Sequence, residues 1–555
     1  MPVIRIQRIN RALPKFPSMK ILTLNPIRPC KTGIRVYSCL TCLAVLAISL
    51  TGCTSLSDYI HNGFKVGPNY RAAAAPVARN WIDAGDVRND AEDLSKWWTI
   101  FNDPALNNLI CCAYRQNLTL REAGFRVLAA RAQLGIDTGQ LFPQSQTFTA
   151  SYARNAASRQ TISGQALIAP FYNQWNYGFN LSWELDFWGR FRRAIESDAA
   201  NLDASVENYD DVLVTLLGDV ATNYVQMRTL QDRIKIAEAN VQLLRETLTI
   251  TEARFRGQTI SELDVFQARA TLEQTEAQIQ ELQISLRQTI TQLCILMGLP
   301  PEELQAKLGP APIPTAPAEV AVGIPAQLLR RRPDVRRAER QAAAQSALIG
   351  VAEADFYPAI AIDGNLGYSA ERFRDLFRAS AFTGSVGPSF QWNVLNYGRI
   401  LNNVRLQDAN FQASVANYQQ TVLSAAKEVE DGIVTFLRAQ RRTKLQAASV
   451  DDAEKAVKIV LAQYRAGTID FTRVTQLEQF LVQEQDVLAQ AQGEIVTGLI
   501  QVYRALGGGW QIRLTGCQVT PLPPAGAPNS EESPKPIPEI MPTPSSEPTP
   551  TSPAK

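Results

Sequence analysis

Histidine is almost absent from this chain of 555 residues, because His61 is the only one. One histidine excludes metal sites built from several imidazoles, and the position of His61 just after the leader, where a lone histidine is almost always a solvated surface residue, argues against a Ser-His-Asp triad. The sequence also contains no P-loop and no Gly-x-Ser-x-Gly motif. We therefore predict that the protein is not an enzyme. An enzymatic alternative depends on Glu184 and Asp186, two carboxylates that are equally consistent with a polar strand face.

Cysteine is scarce beyond the first 53 residues. Of eight cysteines, four lie in the leader or at its end, and the others are Cys111, Cys112, Cys294 and Cys517. No Cys-x-x-Cys spacing follows the leader, and the adjacent Cys111 and Cys112 make a poor disulfide pair. The sequence predicts neither a metal site nor a disulfide framework, and it gives no indication of a cofactor other than a covalent lipid.

Charge is distributed unevenly along a chain whose formal net charge is only +2. Residues 1–52 carry eight Lys and Arg and no Asp or Glu, so the remainder has 47 basic and 53 acidic side chains, a difference of −6. A basic leader on a mildly acidic body is typical of a targeting signal and argues against nucleic-acid binding.

The leader ends in an apolar run from Val36 to Leu50, followed by Thr51-Gly52-Cys53. The run is shorter than the roughly 20 residues of a spanning helix and has the arrangement of a secretory signal. It resembles the bacterial lipoprotein signal, which implies cleavage before Cys53, a diacylglycerol thioether and an acyl group on that residue, and sorting to the outer membrane. A transmembrane helix or an ordinary signal is the alternative, and the start at Met1 or Met19 stays open.

An internal repeat with an offset of 209 residues organises the chain. Residues 200–209 and 409–418 are identical at seven of ten positions, and no insertion separates the copies over some 80 residues. The same offset relates Trp183 to Trp392, Gly189 to Gly398 and Val265 to Val474. An element that tolerates no change in length is typical of a rigid, length-critical structure.

Each copy contains two segments in which apolar and polar residues alternate, at about 145–154 and 175–188 and at about 359–369 and 383–396. Strict alternation predicts strands with one apolar and one polar face. Their length and aromatic content fit transmembrane strands, although a soluble half-buried sheet alternates in the same way. In the second strand, the polar face consists of Asn180, Ser182, Glu184 and Asp186.

A helical period follows each strand pair. The residues of this hydrophobic seam step by four and three without a slip and are Tyr209, Leu213, Leu216, Val220, Asn223, Met227, Leu230, Ile234, Ala237, Val241, Leu244, Leu248, Thr251 and Phe255. Such a seam predicts coiled-coil packing, and the second copy repeats it from Tyr418 to Tyr464. Each helix runs for roughly 65 residues, or about 100 Å, so it projects well beyond a bilayer. A shorter helical segment, at about 105–140 and 326–356, precedes each strand pair.

The long helices reverse at two tips. We predict that Gly257 and Gly467 supply the flexible backbone positions and that Ser261 and Asp470 cap the returning helices. The hairpins span about 191–298 and 400–506.

Four strands cannot close a barrel, and an open edge cannot face lipid. The strands therefore require oligomerisation. Two copies would give eight strands, whose interior side chains would fill, whereas three copies would give twelve and begin to leave an aqueous lumen. We assign the chain to an α+β membrane class with four transmembrane strands per chain and long coiled-coil hairpins that would form a helical tube.

The sequence resembles the TolC-like outer-membrane efflux proteins, most closely their lipidated NodT- and OprM-type branch. The matching motifs are Val66-Gly67-Pro68-Asn69-Tyr70, Trp97-Trp98, Asn117-Leu118-Thr119-Leu120, Trp183 to Arg190, Arg332-Pro333-Asp334-Val335 and the two tips. The resemblance implies a lipid-anchored homotrimer in the outer membrane, with a twelve-stranded barrel and with the long coiled-coil hairpins forming a periplasmic α-barrel. It also implies that a periplasmic adaptor and an inner-membrane pump are its partners, and that the channel is a passive exit duct for small molecules. A protein-secretion channel and a coiled-coil lipoprotein without a pore are the alternatives.

The resemblance further implies a periplasmic gate at the tips, for which Asp264, Arg473 and Tyr464 are the candidates. Arg473 stands where the family has an aspartate. We hypothesise that Asp264 pairs with Arg473 across neighbouring hairpins, and a solvated tip charge worth about 0–1 kcal/mol is the alternative.

The predicted organisation contains two repeats between flanking segments. Its parts are a signal peptide (1–52), a lipidated linker (53–96), repeat 1 (97–300), a linker (301–324), repeat 2 (325–508) and a disordered Pro-rich tail (518–555).

Overall fold

The computed structural model describes residues 55–83, 93–158, 160, 171–320, 322–323, 325 and 331–517. The predicted signal peptide, the lipidation site Cys53 and the predicted tail from residue 518 lie outside the described residues.

The described elements alternate helices with strand pairs. In chain order they are α1 (Leu56–His61), α2 (Pro104–Gln116), α3 (Leu118–Gly139), β1 (Ser145–Ala156), β2 (Phe171–Glu184), α4 (Arg190–Arg256), α5 (Glu262–Leu296), α6 (Leu304–Leu308), α7 (Pro333–Ala354), β3 (Ala359–Ala370), β4 (Phe382–Gln391), α8 (Arg399–Arg465), α9 (Phe471–Ala505) and α10 (Ile512–Thr515).

The duplication extends to the lengths of the hairpins. The long helices α4 and α8 have 67 residues each, and the returning helices α5 and α9 have 35 each. The first and last residues of α4 and α5 correspond to those of α8 and α9 at an offset of 209 residues. The sequence showed this offset over a shorter stretch. At 1.5 Å per residue each long helix extends about 100 Å.

The seam predicted for α4 is buried along most of its length. Leu213, Val220 and Met227 have no exposed surface, whereas Phe255 at the tip end is 40% exposed. The seam packs against α5 and α9. Trp97 and Trp98 belong to the same hydrophobic core, next to α2. The seam pattern was therefore a correct guide to the packed side of the long helix.

The predicted helical segment at 105–140 is two helices. Asn117 separates α2 from α3 because its backbone is extended and its side chain accepts a hydrogen bond from the Leu120 amide. The Asn117 amide group also donates to the Leu296 carbonyl at 2.8 Å, which ties the break to the end of α5. In the second copy, α7 begins at Pro333, and residues 326–330 lie outside the described residues.

The four strands form one antiparallel sheet in the order β1-β2-β3-β4. The two repeats meet between β2 and β3, where Tyr177 lies opposite Tyr368 and Ser182 opposite Asp363. One sheet therefore combines both copies, while β1 and β4 remain its free edges within a chain.

Two strands end earlier than predicted. β2 ends at Glu184 rather than near 188, and β4 ends at Gln391 rather than near 396. Next to both strand ends, Trp183 and Trp392, which are equivalent in the repeat, donate their indole N–H to the carbonyls of Leu141 and Phe356. These bonds anchor the strand ends to the connections that enter the sheet.

The segment that contains Val66 and Gly67, before the first repeat, packs against the junction between the helices and the sheet. The buried Arg193 guanidinium donates to the carbonyls of Val66 and Gly67 at 3.0 and 2.9 Å. Gly67 has a φ of 84° and lies against Gly350 of α7, so a Cβ at either glycine would collide with the opposite backbone. The Val66-Gly67-Pro68 motif thus has a packing role.

The prediction of no disulfide is wrong. Cys111 of α2 pairs with Cys517, with 5.6 Å between their Cα atoms and 406 residues between them in sequence. Arg115 donates to the Cys517 carbonyl at 2.6 Å. Spacing rules do not reveal this pair because only the folded core brings α2 beside the chain segment that follows α10.

Candidate functional site

The tips of the two hairpins of one chain lie side by side and enclose a groove. Its lining includes Arg254, Thr259 and Asp264 from the first tip and Tyr464, Gly467 and Asp470 from the second. The equal lengths of the helices bring the tips to the same level. Two of the three predicted gate candidates, Asp264 and Tyr464, line this groove, and Arg473 does not.

Arg254 makes the strongest contact between the tips. Its guanidinium donates to the Tyr464 carbonyl at 2.6 Å and lies 4.4 Å from the centre of the Tyr464 ring. Tyr464 is completely buried and also packs against Phe471. Burial raises the pKa of the Tyr464 phenol, Arg254 partly offsets this, and the nearby charge of Asp264 adds to it. A cation over a buried ring holds the first hairpin against the second.

Arg254 was not among the gate candidates predicted from the sequence. Its repeat equivalent is Gln463, and Phe255 stands opposite Tyr464 in the repeat. At these two pairs of equivalent positions, the charge is present only in the first tip and the hydroxyl only in the second. That difference is the available sequence signal for the contact.

The hypothesised Asp264–Arg473 ion pair does not form between the two hairpins of one chain within the described residues. Asp264 lines the groove, while the backbone N–H of Arg473 donates to the Asp470 side chain at 3.0 Å. Pairing between hairpins of different chains stays a prediction.

Gly257 is not the residue that gives the first tip its flexible backbone position, contrary to the prediction. The left-handed residues are Gln258, with a φ of 56°, and its repeat equivalent Gly467, with a φ of 76°. Gly257 has a φ of −77°, which any residue adopts. Asp470 caps α9 as predicted, whereas Ser261 occupies the same position before α5 without a side-chain hydrogen bond.

A buried carboxyl lies further along the contact between the hairpins. Glu478 of α9 is 2% exposed and accepts a hydrogen bond of 2.5 Å from Thr247 of α4. Burial raises the pKa of Glu478 to about 7, and the Thr247 hydroxyl lowers it only in part. Thr251 and Thr475 are also buried. This polar stretch interrupts the apolar packing of α4 against α9.

A second polar contact connects the same two helices. The Arg233 guanidinium of α4 forms a two-pronged ion pair with Asp486 of α9, at 2.7 and 3.0 Å. Both side chains are about one-fifth exposed. The two hairpins of a chain are thus held together by Arg254, Glu478 and Arg233 at three levels.

One face of the sheet is polar across all four strands. Asn180 donates to Thr149 of β1, Ser182 donates to Asp363 of β3 at 2.6 Å, and Ser389 of β4 donates to the same carboxylate at 2.5 Å. These hydrogen bonds link β1 to β2, and β2 to β4 through Asp363, so polar contacts join each pair of neighbouring strands. Glu184 ends the face and lies 3.7 Å from Arg190.

Asp186 does not belong to this polar face. It follows the end of β2, and its carboxylate accepts hydrogen bonds from the backbone N–H groups of Phe191 and Arg192 at 2.9 and 3.0 Å. It also pairs with the Arg192 guanidinium at 2.9 Å. Asp186 therefore stabilises the start of α4, where the helix dipole favours a negative charge.

The opposite face of the sheet is apolar and rich in aromatic rings. Across the strands it presents Phe148, Tyr152, Trp175, Tyr177, Phe179, Leu366, Tyr368, Phe382, Val386 and Phe390. Phe179, Val386 and Phe390 are each about two-thirds exposed in a single chain. A water-soluble surface rarely exposes so large an apolar patch.

The described residues also bear on other functions. No cluster of three or more His, Cys, Asp or Glu side chains in that part of the chain has the arrangement of a metal site. Among the helices of the same residues, none is long and apolar enough to cross a membrane.

A four-stranded sheet with one polar and one apolar face, continuous with two helical hairpins of equal length, defines a subunit of an outer-membrane channel. The sequence model of the family described as "Outer membrane efflux protein" matches residues 109–299 and 324–508. These segments cover more than half of the chain. The protein belongs to the outer membrane efflux protein family, and it is a channel protein of the outer membrane.

Curated relatives and solved structures agree with this assignment. Nodulation protein T of Rhizobium leguminosarum bv. viciae is 30% identical over 481 residues, covering 84% of this chain and 93% of the relative. The solvent efflux pump outer membrane protein SrpC of Pseudomonas putida is 29% identical over 456 residues, covering 81% and 96%. The solved outer-membrane channel OprN is 33% identical, with a TM-score of 0.75 over 80% of this chain and 99% of that one.

Proposed function

We propose that three copies of this chain form a lipid-anchored duct through which small molecules leave the cell. An inner-membrane pump and a periplasmic adaptor would deliver them. The observation that carries this proposal is the hydrogen-bonded polar face of the sheet, from Thr149 through Asp363 to Ser389. It would line water, while the aromatic face would meet lipid.

The free sheet edges support oligomerisation. β1 and β4 have no strand partner on their outer sides within the described residues, and unpaired backbone groups are costly in lipid. Three sheets would close twelve strands. Apolar side chains are also exposed on the flanking helices α3 and α8: Phe125, Leu128, Ile136, Leu401, Leu406, Leu423 and Leu445. Neighbouring chains would cover these side chains.

The tips would form the closed end of the duct. Arg254 and Tyr464 hold two hairpins of one chain together, and Asp264 with Arg473 remains the proposed pair between chains. The lipid on Cys53 would anchor the assembly in the outer membrane. The names of the relatives include solvent efflux, which supports small molecules as the cargo and leaves its chemistry open.

Conductance in planar bilayers tests the proposal. The purified protein should migrate as a heat-modifiable trimer and form a large pore that is closed most of the time. Arg473→Asp should raise the conductance, and an unchanged conductance would remove Arg473 from the gate. A monomer that is extracted without detergent would refute the duct itself, because a pore requires the closed assembly.

A further inference from the structure

The connection between β3 and β4 folds back over the apolar face of the sheet. The Phe373 ring lies 5.1 Å from Trp175 and the Phe377 ring 6.0 Å from Tyr177, centre to centre. Two short 3₁₀ turns, Phe373–Asp375 and Ala379–Ala381, give this loop a defined backbone. Phe373 and Phe377 are nevertheless 55% and 66% exposed. Half of each ring therefore remains available for another partner.

Four arginines lie near these rings in the sequence or at the same end of the sheet. Arg372, Arg374 and Arg378 lie in the loop, and all three are exposed. Arg154 lies at the same end of β1, on the face that carries Tyr152, whose ring is 4.4 Å from that of Trp175. We call the four arginines and the rings of Tyr152, Trp175, Phe373 and Phe377 the outer rim.

The positive charge of the outer rim exceeds its negative charge. Arg374 and Arg378 share the carboxylate of Asp375, at 4.0 and 3.3 Å. Arg154 and Arg372 form no ion pair with another described residue. The two carboxylates of the same loop are those of Glu371 and Asp375, so four guanidiniums face two carboxylates. A shared carboxylate leaves both of its arginines able to bind a second anion.

The position of the rim identifies the anion. The loop lies at the end of the sheet remote from the helices, since every helix joins the strands at their other end. If the helices extend into the periplasm, the rim lies at the outer leaflet. Aromatic rings mark the level where hydrocarbon meets headgroup, and arginines beside them reach lipid phosphates.

We propose that the outer rim is a binding surface for the phosphate headgroups of outer-leaflet lipid. The inference rests on the proposed function, because it requires the aromatic face to contact the membrane. Phe373 and Phe377 enter the boundary of the acyl chains, and the arginines bind phosphate oxygens, which suit the planar guanidinium. Each exposed arginine contributes about fivefold to the affinity for an anionic lipid.

Native mass spectrometry of the detergent-solubilised trimer tests this inference. Diphosphorylated lipid A should bind at least about tenfold more tightly than lipid A without phosphates. The variant Arg154→Gln, Arg372→Gln, Arg374→Gln and Arg378→Gln should lose that preference. Arg438→Gln, at an exposed position of α8, is the matched control and should retain it.

Three results would overturn the inference. These are equal binding of both lipids to the wild type, an unchanged preference in the fourfold variant, and equally effective binding of inorganic phosphate at the same concentration. The last would indicate a site for free anion rather than for lipid. If one of these results appears while the trimer forms and conducts, lipid binding at the outer rim is refuted and the proposed channel function is retained. If no trimer or pore forms, the proposed channel function itself is refuted.

Discussion

The buried carboxyl of Glu478 makes the contact between the hairpins sensitive to pH. Its pKa is about 7, compared with an ordinary value of 4.5, because burial between α4 and α9 disfavours the charged form. For an acid whose pKa rises on folding, the stabilising contribution is complete below the pKa of the unfolded chain. It is lost as the pH rises through the folded pKa. The contact should therefore weaken between about pH 4.5 and pH 7.

The magnitude follows from the two pKa values. At pH 8 the Glu478 carboxyl is ionised in the folded protein although burial disfavours its charged form. This lowers the stability by about 3 kcal/mol relative to a carboxyl with its ordinary pKa. At pH 5 most of this cost is absent, and about 0.8 kcal/mol remains. Glu478→Gln keeps the shape and an oxygen that accepts from Thr247, and it cannot ionise. The variant should be the more stable protein at pH 8 and nearly equal to the wild type at pH 5.

Hydrogen–deuterium exchange of peptides from α4 and α9 measures this locally. Comparing variant and wild type at the same pH cancels the intrinsic pH dependence of exchange. Protection in the variant should be roughly 100-fold higher at pH 8 and no more than about fivefold higher at pH 5. Glu273→Gln, which removes an exposed carboxylate from α5, is the matched control and should change neither.

Two outcomes would refute the reasoning. Equal protection of variant and wild type at pH 8 would mean that Glu478 ionises without penalty, for example because water reaches it. A gain in protection at pH 5 as large as the gain at pH 8 would mean that the substitution improves packing and that ionisation is not the cause.

Three further predictions concern the tip and the disulfide. Arg254→Gln should raise the single-channel conductance, because it removes a cation that contributes about 1–2 kcal/mol over the Tyr464 ring. Gln258→Gly should raise the free energy of unfolding by up to about 1 kcal/mol in denaturant titrations, since glycine accepts its left-handed backbone, and Gly467→Ala should lower it by about 1–2 kcal/mol. Cys517→Ser should lower the thermal midpoint, with a loss of about 2–5 kcal/mol.

Each of these predictions has a control within the same chain. Arg438→Gln should leave the conductance unchanged, so an equal effect of both substitutions would mean that charge alone matters. Gly257→Ala should be nearly neutral, because its backbone suits alanine. Dithiothreitol should destabilise the wild type and not the Cys517→Ser variant; if it destabilises both equally, the disulfide is not the cause.

The sequence predicted the periodic parts of the fold well. The alternation located all four strands, and the seam identified the buried side of α4, because each pattern records a face that packing requires. The ends were less accurate. Strand β2 stops at Glu184, next to the hydrogen bond from Trp183 to the Leu141 carbonyl, although the alternation continues to Phe187, and no local pattern contains that long-range contact.

The site was harder to predict than the fold. Asp264 and Tyr464 were placed in the tip groove, whereas Arg254 and the Cys111–Cys517 pair were missed. Both omissions join parts of the chain that lie hundreds of residues apart. Asp186 was misassigned for the opposite reason, because a local capping contact takes it away from the strand face that its position suggests.

The two hairpins are equal in length and unequal in chemistry, and the proposed trimer would explain both properties. Equal length would bring all tips to one level in a ring. Unequal chemistry would follow because each hairpin would have one neighbour in its own chain and another in the next. Glu478 is buried against Thr247, while its repeat equivalent Arg269 is exposed and pairs with Glu252 at 3.3 Å. The inner contact is therefore polar and responsive to protons, and a motion that opens the tips must separate or slide Glu478 and Thr247 past each other.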